Sequence, residues 1–173
     1  CQEKKIDHYV IHTGQHYGDE MNKQFFKDFD LDAPDYILDT HSTSTPIQIA
    51  KMIIGMEDIL SKNEPDLVLV YGDSNSALGP ALACAKMNIS IGHIEAGLRS
   101  FDRTMPEEIN RVVVDHISNF LFAPTDICKN NLMQEGIDSK RIFVTGNTVV
   151  DSIFYINDVA KTNSTILDSL KQT

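Results

Sequence analysis

The apolar positions of this chain fall into short runs separated by charged or glycine-marked loops, and their spacing changes from run to run. Leu67-Val-Leu-Val-Tyr71 is apolar throughout, the pattern of a strand covered on both faces of a parallel sheet. Residues 6–12, 89–94, 120–123 and 141–144 read as further strands from their β-branched and aromatic content, with a brief one over 35–38. Between these runs the apolar residues recur at helical spacing. Met21, Phe25, Phe26 and Phe29 predict a short amphipathic helix. Ser42-Thr-Ser-Thr-Pro46 signals the start of another, with Ile47, Ala50, Ile54, Ile59 and Leu60 as its buried side and Asn63-Glu-Pro65-Asp66 as its end.

A helix rich in small residues follows over 77–87. Pro106 opens the next one, in a first turn where its missing N–H is not needed, and Glu107 and Glu108 complement the positive end of the helix dipole. Ile109, Val112, Val113 and Ile117 form its inward face. Thr125 begins a helix that ends at Gly136, and a last helix starts after Gly146-Asn-Thr148 and fades into the polar run 162–165. Strands and helices alternate along the whole chain, which predicts an α/β fold with a doubly wound parallel sheet.

The 173 residues are 42% hydrophobic, enough for a core. A formal net charge of −10 argues against binding to nucleic acid or an anionic membrane through charge alone. The longest apolar runs are strand-sized, so no membrane-spanning helix is expected. Cys1, Cys84 and Cys128 are far apart, with no paired-cysteine motif; neither a disulfide framework nor a zinc site is expected, and a reducing cytoplasm fits. Cys1-Gln-Glu-Lys-Lys5 has no apolar core of a signal peptide and leads straight into a strand, so the chain is expected to start inside a larger domain.

Chemistry concentrates between Ile91 and Arg111, where His93, Glu95, Arg99, Asp102, Arg103, Glu107, Glu108 and Arg111 crowd a loop at a strand end. In a parallel sheet that loop opens on the same edge as the loops at 13–19 and 72–76, so their residues converge on one crevice. Asp73 directly follows its strand and is either an N-cap or a ligand-facing carboxylate. Glu95 is either paired with Arg99 or Arg111 or held for proton transfer. Glu107 and Arg111 lie four apart, the spacing of a helix-surface ion pair. His93 reads as a satisfied core histidine, while His12 and His16 flank Thr13-Gly-Gln15 beside the crevice. Metal-ligand spacings, a nucleotide-binding glycine loop and a serine elbow are all missing from the sequence. Carboxylates interleaved with arginines suit proton abstraction next to an anionic substrate.

Thr13-Gly-Gln-His16, Val70-Tyr-Gly-Asp-Ser-Asn-Ser76, Gly92-His-Ile-Glu-Ala-Gly-Leu-Arg99, Pro106-Glu-Glu-Ile-Asn-Arg111 and Val144-Thr-Gly-Asn-Thr-Val-Val-Asp151, in that order and spacing, resemble the non-hydrolysing UDP-N-acetylglucosamine 2-epimerases. The segment Leu98-Arg-Ser-Phe-Asp-Arg-Thr-Met-Pro-Glu-Glu108 resembles a subgroup that includes UDP-2,3-diacetamido-glucuronate 2-epimerases. The resemblance implies a Rossmann-like half of a two-domain, glycosyltransferase-B-like fold, with residues 1–146 as the amino-terminal domain and 147–173 as the start of the interdomain crossover. It implies inversion at C2 of a UDP-sugar by elimination of UDP and its re-addition, with no metal or redox cofactor.

By the resemblance, Asp73, Glu95 and Glu107 match the family's catalytic carboxylates and Arg111 its nearby arginine; Thr13-Gly-Gln-His16 resembles the family segment near a second, regulatory UDP-sugar site, with Gln15 and His16 as substrate-binding residues. A cytoplasmic homodimer is implied for the complete enzyme. The family pattern also has a strand with a Gly-Thr-Arg-Pro-Glu-like loop ahead of Cys1, and a second domain holding most uridine-diphosphate contacts and a further histidine. This chain is therefore expected to be an amino-terminal half without turnover of its own. A glycosyltransferase of similar fold is the competing enzymatic reading, weakened by a carboxylate cluster suited to C2; a non-catalytic binding module is the other.

Overall fold

The computed structural model describes residues 6–15, 26, 29, 31–42 and 44–163. The chain divides into two compact units, one drawn from 1–17 and 34–146 and the other from 18–33 and 147–173. In the first unit, β1 (Ile11–His12) and β2 (Tyr36–Ile37) form a parallel pair. β3 (Leu67–Tyr71), β4 (Ser90–Ile94), β5 (Phe120–Ala123) and β6 (Ile142–Val144) form a parallel sheet in that order. Val70 lies beside His93, His93 beside Leu121 and Leu121 beside Ile142, so one row of side chains crosses the sheet on a single face.

Helices α1 (Thr45–Asn63), α2 (Asn75–Lys86), α3 (Pro106–Ile117) and α4 (Asp126–Gln134) alternate with these strands. This α/β order is the one expected. The expected strand over 6–12 pairs only at Ile11–His12, and among the described residues β1 and β2 do not join the sheet of β3 to β6.

The core has two parts. Met56, Leu60, Val70, Ala77, Leu78, Ala81, Cys84, Ile91 and Val114 make one, and Ala96, Leu121, Ala123, Cys128, Leu132, Ile137 and Ile142 the other. Small side chains on α2 bring α1 very near: a methyl group placed on Gly79 would lie 2.8 Å from Cβ of Met52. The buried side of α1 differs from the expected one. Gln48, Met52, Met56, Ile59 and Leu60 are buried, while Ile47 and Ile54 are exposed. Lys51, Glu57, Asp58 and Lys62 share the exposed side with Ile47 and Ile54, and the stripe opposite them is the buried one.

Helix α3 meets expectation in part, with Val113 and Ile117 partly buried against the core. Its buried residues are Glu108, Asn110, Val114 and Asp115, whereas Ile109 is exposed. Polar groups turn inward here because each finds hydrogen-bond partners in the neighbouring loops, as described below.

In the second unit, α5 (Thr148–Asn163) carries Tyr155, whose ring stacks on Phe29 at a centroid distance of 5.7 Å. The helix expected over 21–29 and the tail beyond 163 lie largely outside the described residues. Among the described residues no helix is long and apolar enough to cross a membrane.

Candidate active site

The loop from β3 to α2 turns at Gly72, whose φ of +69° favours glycine. Gly72 N–H donates to Ile94 O at 3.0 Å, which fastens the turn to the end of β4. Ser74 is the N-cap of α2, so Asp73 does not cap that helix. The Asp73 carboxylate instead accepts from Arg111 Nη2, and its backbone carbonyl accepts from Asn110 Nδ2 at 2.8 Å. Both partners come from the second turn of α3, which carries them to the carboxyl edge of the sheet. Side-chain exposures of 38% for Asp73 and 13% for Arg111 leave this pair open to a ligand on one side. Arg111 Nε is buried without a partner among the described residues.

Glu95 sits just beyond β4 with a φ of +75°, uncommon for a residue bearing a Cβ. Its N–H and that of Ala96 both donate to Phe122 O, at 3.2 and 3.1 Å, and hold this conformation in place. The Glu95 carboxylate faces the Gly72 turn, with Oε2 3.4 Å from where a Gly72 Cβ would stand. The turns that carry Asp73 and Glu95 thus lie side by side at the ends of paired strands, where Tyr71 lies beside Ile94. The arginines weighed as partners for Glu95 make their hydrogen bonds with other carboxylates. Arg111 donates to Asp73 and Glu108, and Arg99 to Asp115 and Glu135.

Glu108 organises the remainder of the loop. It is 2% exposed and accepts from Ser100 N–H at 2.9 Å, Ser100 Oγ at 3.0 Å, Phe101 N–H at 3.0 Å and Arg111 Nη1 at 3.1 Å. Burial pushes its carboxyl up, but the bonds from Ser100 and Phe101 and the Arg111 charge outweigh it and hold the group below the usual range. Sequence reasoning took Glu108 only as a complement to the helix dipole. Its place three residues after the N-cap, where glutamates reach back to the preceding backbone, was the available signal. Asn110 was missed as well, and nothing in the sequence pattern marks it.

Beneath the site lies a closed polar network. His93 Nδ1 is 2.6 Å from Asp115 Oδ1, and Nε2 is 2.9 Å from the Gly72 carbonyl. Asp115 Oδ2 also accepts from Gly97 N–H at 3.1 Å and Arg99 Nη1 at 2.7 Å. Arg99 grips Glu135 through two bonds of 2.7 Å. Burial works against the Arg99 charge, but Glu135 and Asp115 more than offset it and hold the group protonated. His93 and Asp115 are fully buried, in keeping with the reading of His93 as a core histidine.

Glu107 is exposed and makes no hydrogen bond or ion pair among the described residues; the expected pair with Arg111 is replaced by Arg111 with Glu108, three residues apart. Gln15 is drawn to the start of α2, where its Oε1 accepts from Ser76 N–H at 2.8 Å and Ser76 Oγ at 2.7 Å. That oxygen supplies the cap that Ser74 does not. His16 lies outside the described residues. Burial pushes the Cys84 thiol up to about 11, which leaves it protonated and unsuited to nucleophilic work at neutral pH.

Comparison with known proteins gives this geometry its context. The family model for UDP-N-acetylglucosamine 2-epimerase matches residues 1–173. A UDP-N-acetylglucosamine 2-epimerase of Methanocaldococcus jannaschii is 49% identical over 95% of the chain and 45% of its own length. A UDP-2,3-diacetamido-2,3-dideoxy-D-glucuronate 2-epimerase of Pseudomonas aeruginosa is 41% identical over 89% of the chain and 44% of its own length. The crystal structure of the M. jannaschii UDP-GlcNAc 2-epimerase in complex with UDP-GlcNAc and UDP superposes with a TM-score of 0.94 at 47% identity, over 99% of this chain and 47% of that one. The likeness bears out the expected Rossmann-like half of a glycosyltransferase-B-like fold. The chain spans about half the length of the curated relatives it matches. It belongs to the UDP-N-acetylglucosamine 2-epimerase family.

Proposed function

We propose that this chain forms the amino-terminal wall of a UDP-N-acetylglucosamine 2-epimerase site, and that Asp73, Glu95, Glu107 and Arg111 serve its chemistry. In the proposed reaction a carboxylate removes the C2 proton as the bond from C1 to the UDP oxygen breaks, leaving a C1=C2 double bond. A proton then returns to C2 on the opposite face, UDP adds back to C1, and the C2 epimer results. Two carboxylates on different loops suit removal and delivery of a proton on opposite faces. Arg111 pairs with Asp73 and adds positive charge near the departing diphosphate. Glu107, exposed in the first turn of α3, is available to a ligand entering from solvent.

The observation that carries the reading is the meeting of Asp73, Glu95 and Arg111 at one sheet edge in a chain that belongs to this family. Homodimerisation and a cytoplasmic location belong to the same proposal and rest on family resemblance alone.

The test joins this chain to the carboxyl-terminal half of the M. jannaschii relative and follows UDP-GlcNAc by chromatography. The joined protein is expected to form the manno epimer, and the chain alone to form none. A folded joined protein that leaves UDP-GlcNAc unchanged would contradict the assignment. The similarity to the P. aeruginosa enzyme and the Leu98–Glu108 segment favour a second substrate reading. Turnover of the diacetamido-glucuronate sugar in preference to UDP-GlcNAc would establish it.

A further inference from the structure

Asp73 leaves the sheet through a left-handed glycine turn, yet its carboxylate must keep one place if it is to exchange a proton with substrate. The peptide planes on either side of Asp73 decide that place. The following one is held through the Asp73 carbonyl by Asn110 Nδ2 at 2.8 Å. The preceding one carries the Gly72 carbonyl, and that oxygen is 2.9 Å from His93 Nε2. A carbonyl oxygen only accepts, so this contact is a hydrogen bond only when Nε2 bears a proton. The other ring nitrogen faces Asp115 Oδ1 at 2.6 Å, a second acceptor position.

The two contacts together require two protons, one on Nε2 and one between Nδ1 and the carboxylate. Neutral imidazole beside ionised Asp115 supplies only one, and its bare nitrogen would face an oxygen lone pair in a fully buried place. Gly97 N–H, donating to Asp115 Oδ2 at 3.1 Å, completes the carboxylate's shell.

We propose that His93 is a positioning residue for Asp73: it donates Nε2–H to the Gly72 carbonyl, with Asp115 orienting the ring behind it, and fixes the peptide plane from which Asp73 projects. Together with Asn110 it sets both planes flanking Asp73. His93 also lies two residues before Glu95 on β4, so one side chain ties the two loops bearing these carboxylates. The catalytic consequence rests on the role proposed for Asp73, while the hydrogen bond is measurable without substrate.

The experiment is nitrogen-15 NMR of this chain at neutral pH. His93 Nε2 is expected to be protonated, with a slowly exchanging hydrogen and scalar coupling to the Gly72 carbonyl carbon. An unprotonated Nε2 would overturn the proposal, whatever the epimerase assays give, and absent epimerase activity would leave it standing. Two variants separate positioning from core filling. His93→Gln places an amide N–H about where Nε2 stands, and His93→Asn places one near Nδ1.

The glutamine variant is expected to keep the wild-type amide shifts of Gly72, Asp73 and Ser74. The asparagine variant is expected to shift them and to speed Gly72 amide exchange about tenfold, the effect of losing about one hydrogen bond. Equal behaviour of two folded variants would contradict the positioning role. Should neither fold, the wild-type Nε2 measurement decides alone.

Discussion

The polar cluster beneath the sheet edge and the cluster at that edge use the same residue types and behave differently. His93, Asp115, Arg99 and Glu135 form a closed chain in which His93, Asp115 and the Arg99 side chain are at most 1% exposed. Asp73, Arg111 and the buried Glu108 form one that opens at Asp73, which is 38% exposed, and a buried Arg111 nitrogen has no partner among the described residues. Burial makes the closed chain costly to break, because each removed partner strands a charge away from water. Openness leaves the other cluster with less stabilisation to lose and with groups that a substrate can engage. Closure of the network thus distinguishes the two clusters, although neighbouring residues serve both.

The largest effect is expected from opening the closed chain. Asp115→Ala strands Arg99 and His93, and should cost about 4 kcal/mol, read as a shift of the urea midpoint; a loss near that of an ordinary surface change would merge the two clusters. Glu108→Gln should cost about 2 kcal/mol, since it leaves loop N–H groups and Arg111 poorly satisfied.

The pH dependence of that loss sharpens the contrast. The Glu108 carboxyl is held below its ordinary value of 4.5 in the fold, so its stabilisation is complete above that value. It disappears as pH falls through the lower folded-state value. The stability gap between wild type and Glu108→Gln should therefore be constant near neutrality and close on acidification, and a gap that widens in acid would contradict this.

Asp73→Asn removes a partly exposed pair and should cost no more than about 1 kcal/mol, while lowering turnover of the joined two-domain protein about a hundredfold or more. Glu107→Gln should change the melting midpoint least, within about 0.5 kcal/mol, and still sharply reduce turnover. Unchanged activity in a folded Glu107→Gln protein would remove Glu107 from the site.

Much of the fold was legible because unbroken apolar runs such as Leu67–Tyr71 mark strands and Pro106 marks a helix start. The coverage of both faces expected of β3 is not found among the described residues, where Val70 is buried while Leu67, Leu69 and Tyr71 are exposed. The convergence of Asp73 and Glu95 was also legible, since parallel strands put their following loops on one edge. The facing of the helices was not. In α1, Ile47 and Ile54 sit among the exposed Lys51, Glu57 and Asp58, so an apolar residue does not by itself mark the side that faces α2. In α3, Glu108, Asn110 and Asp115 turn inward to serve loops beside Val114, so the rule of apolar residues inside finds only part of the buried face.

Partners distant in sequence were equally hidden. Arg99 finds Glu135, and Arg111 chooses Asp73 and Glu108 over the helix neighbour Glu107. The family resemblance names Asp73 and Arg111 as candidate site residues, but their direct contact is visible only in three dimensions.

The most direct test of the central claim, that the open edge cluster moves the C2 proton, is solvent isotope incorporation. The joined two-domain protein and its Asp73→Asn variant are incubated with UDP-GlcNAc in deuterium oxide, and the C2 position is read by NMR. The account predicts that deuterium appears at C2 of the epimerised sugar with the wild-type chain and that the rate of its appearance collapses in the variant. Deuterium entering at the wild-type rate in a folded Asp73→Asn protein would contradict it.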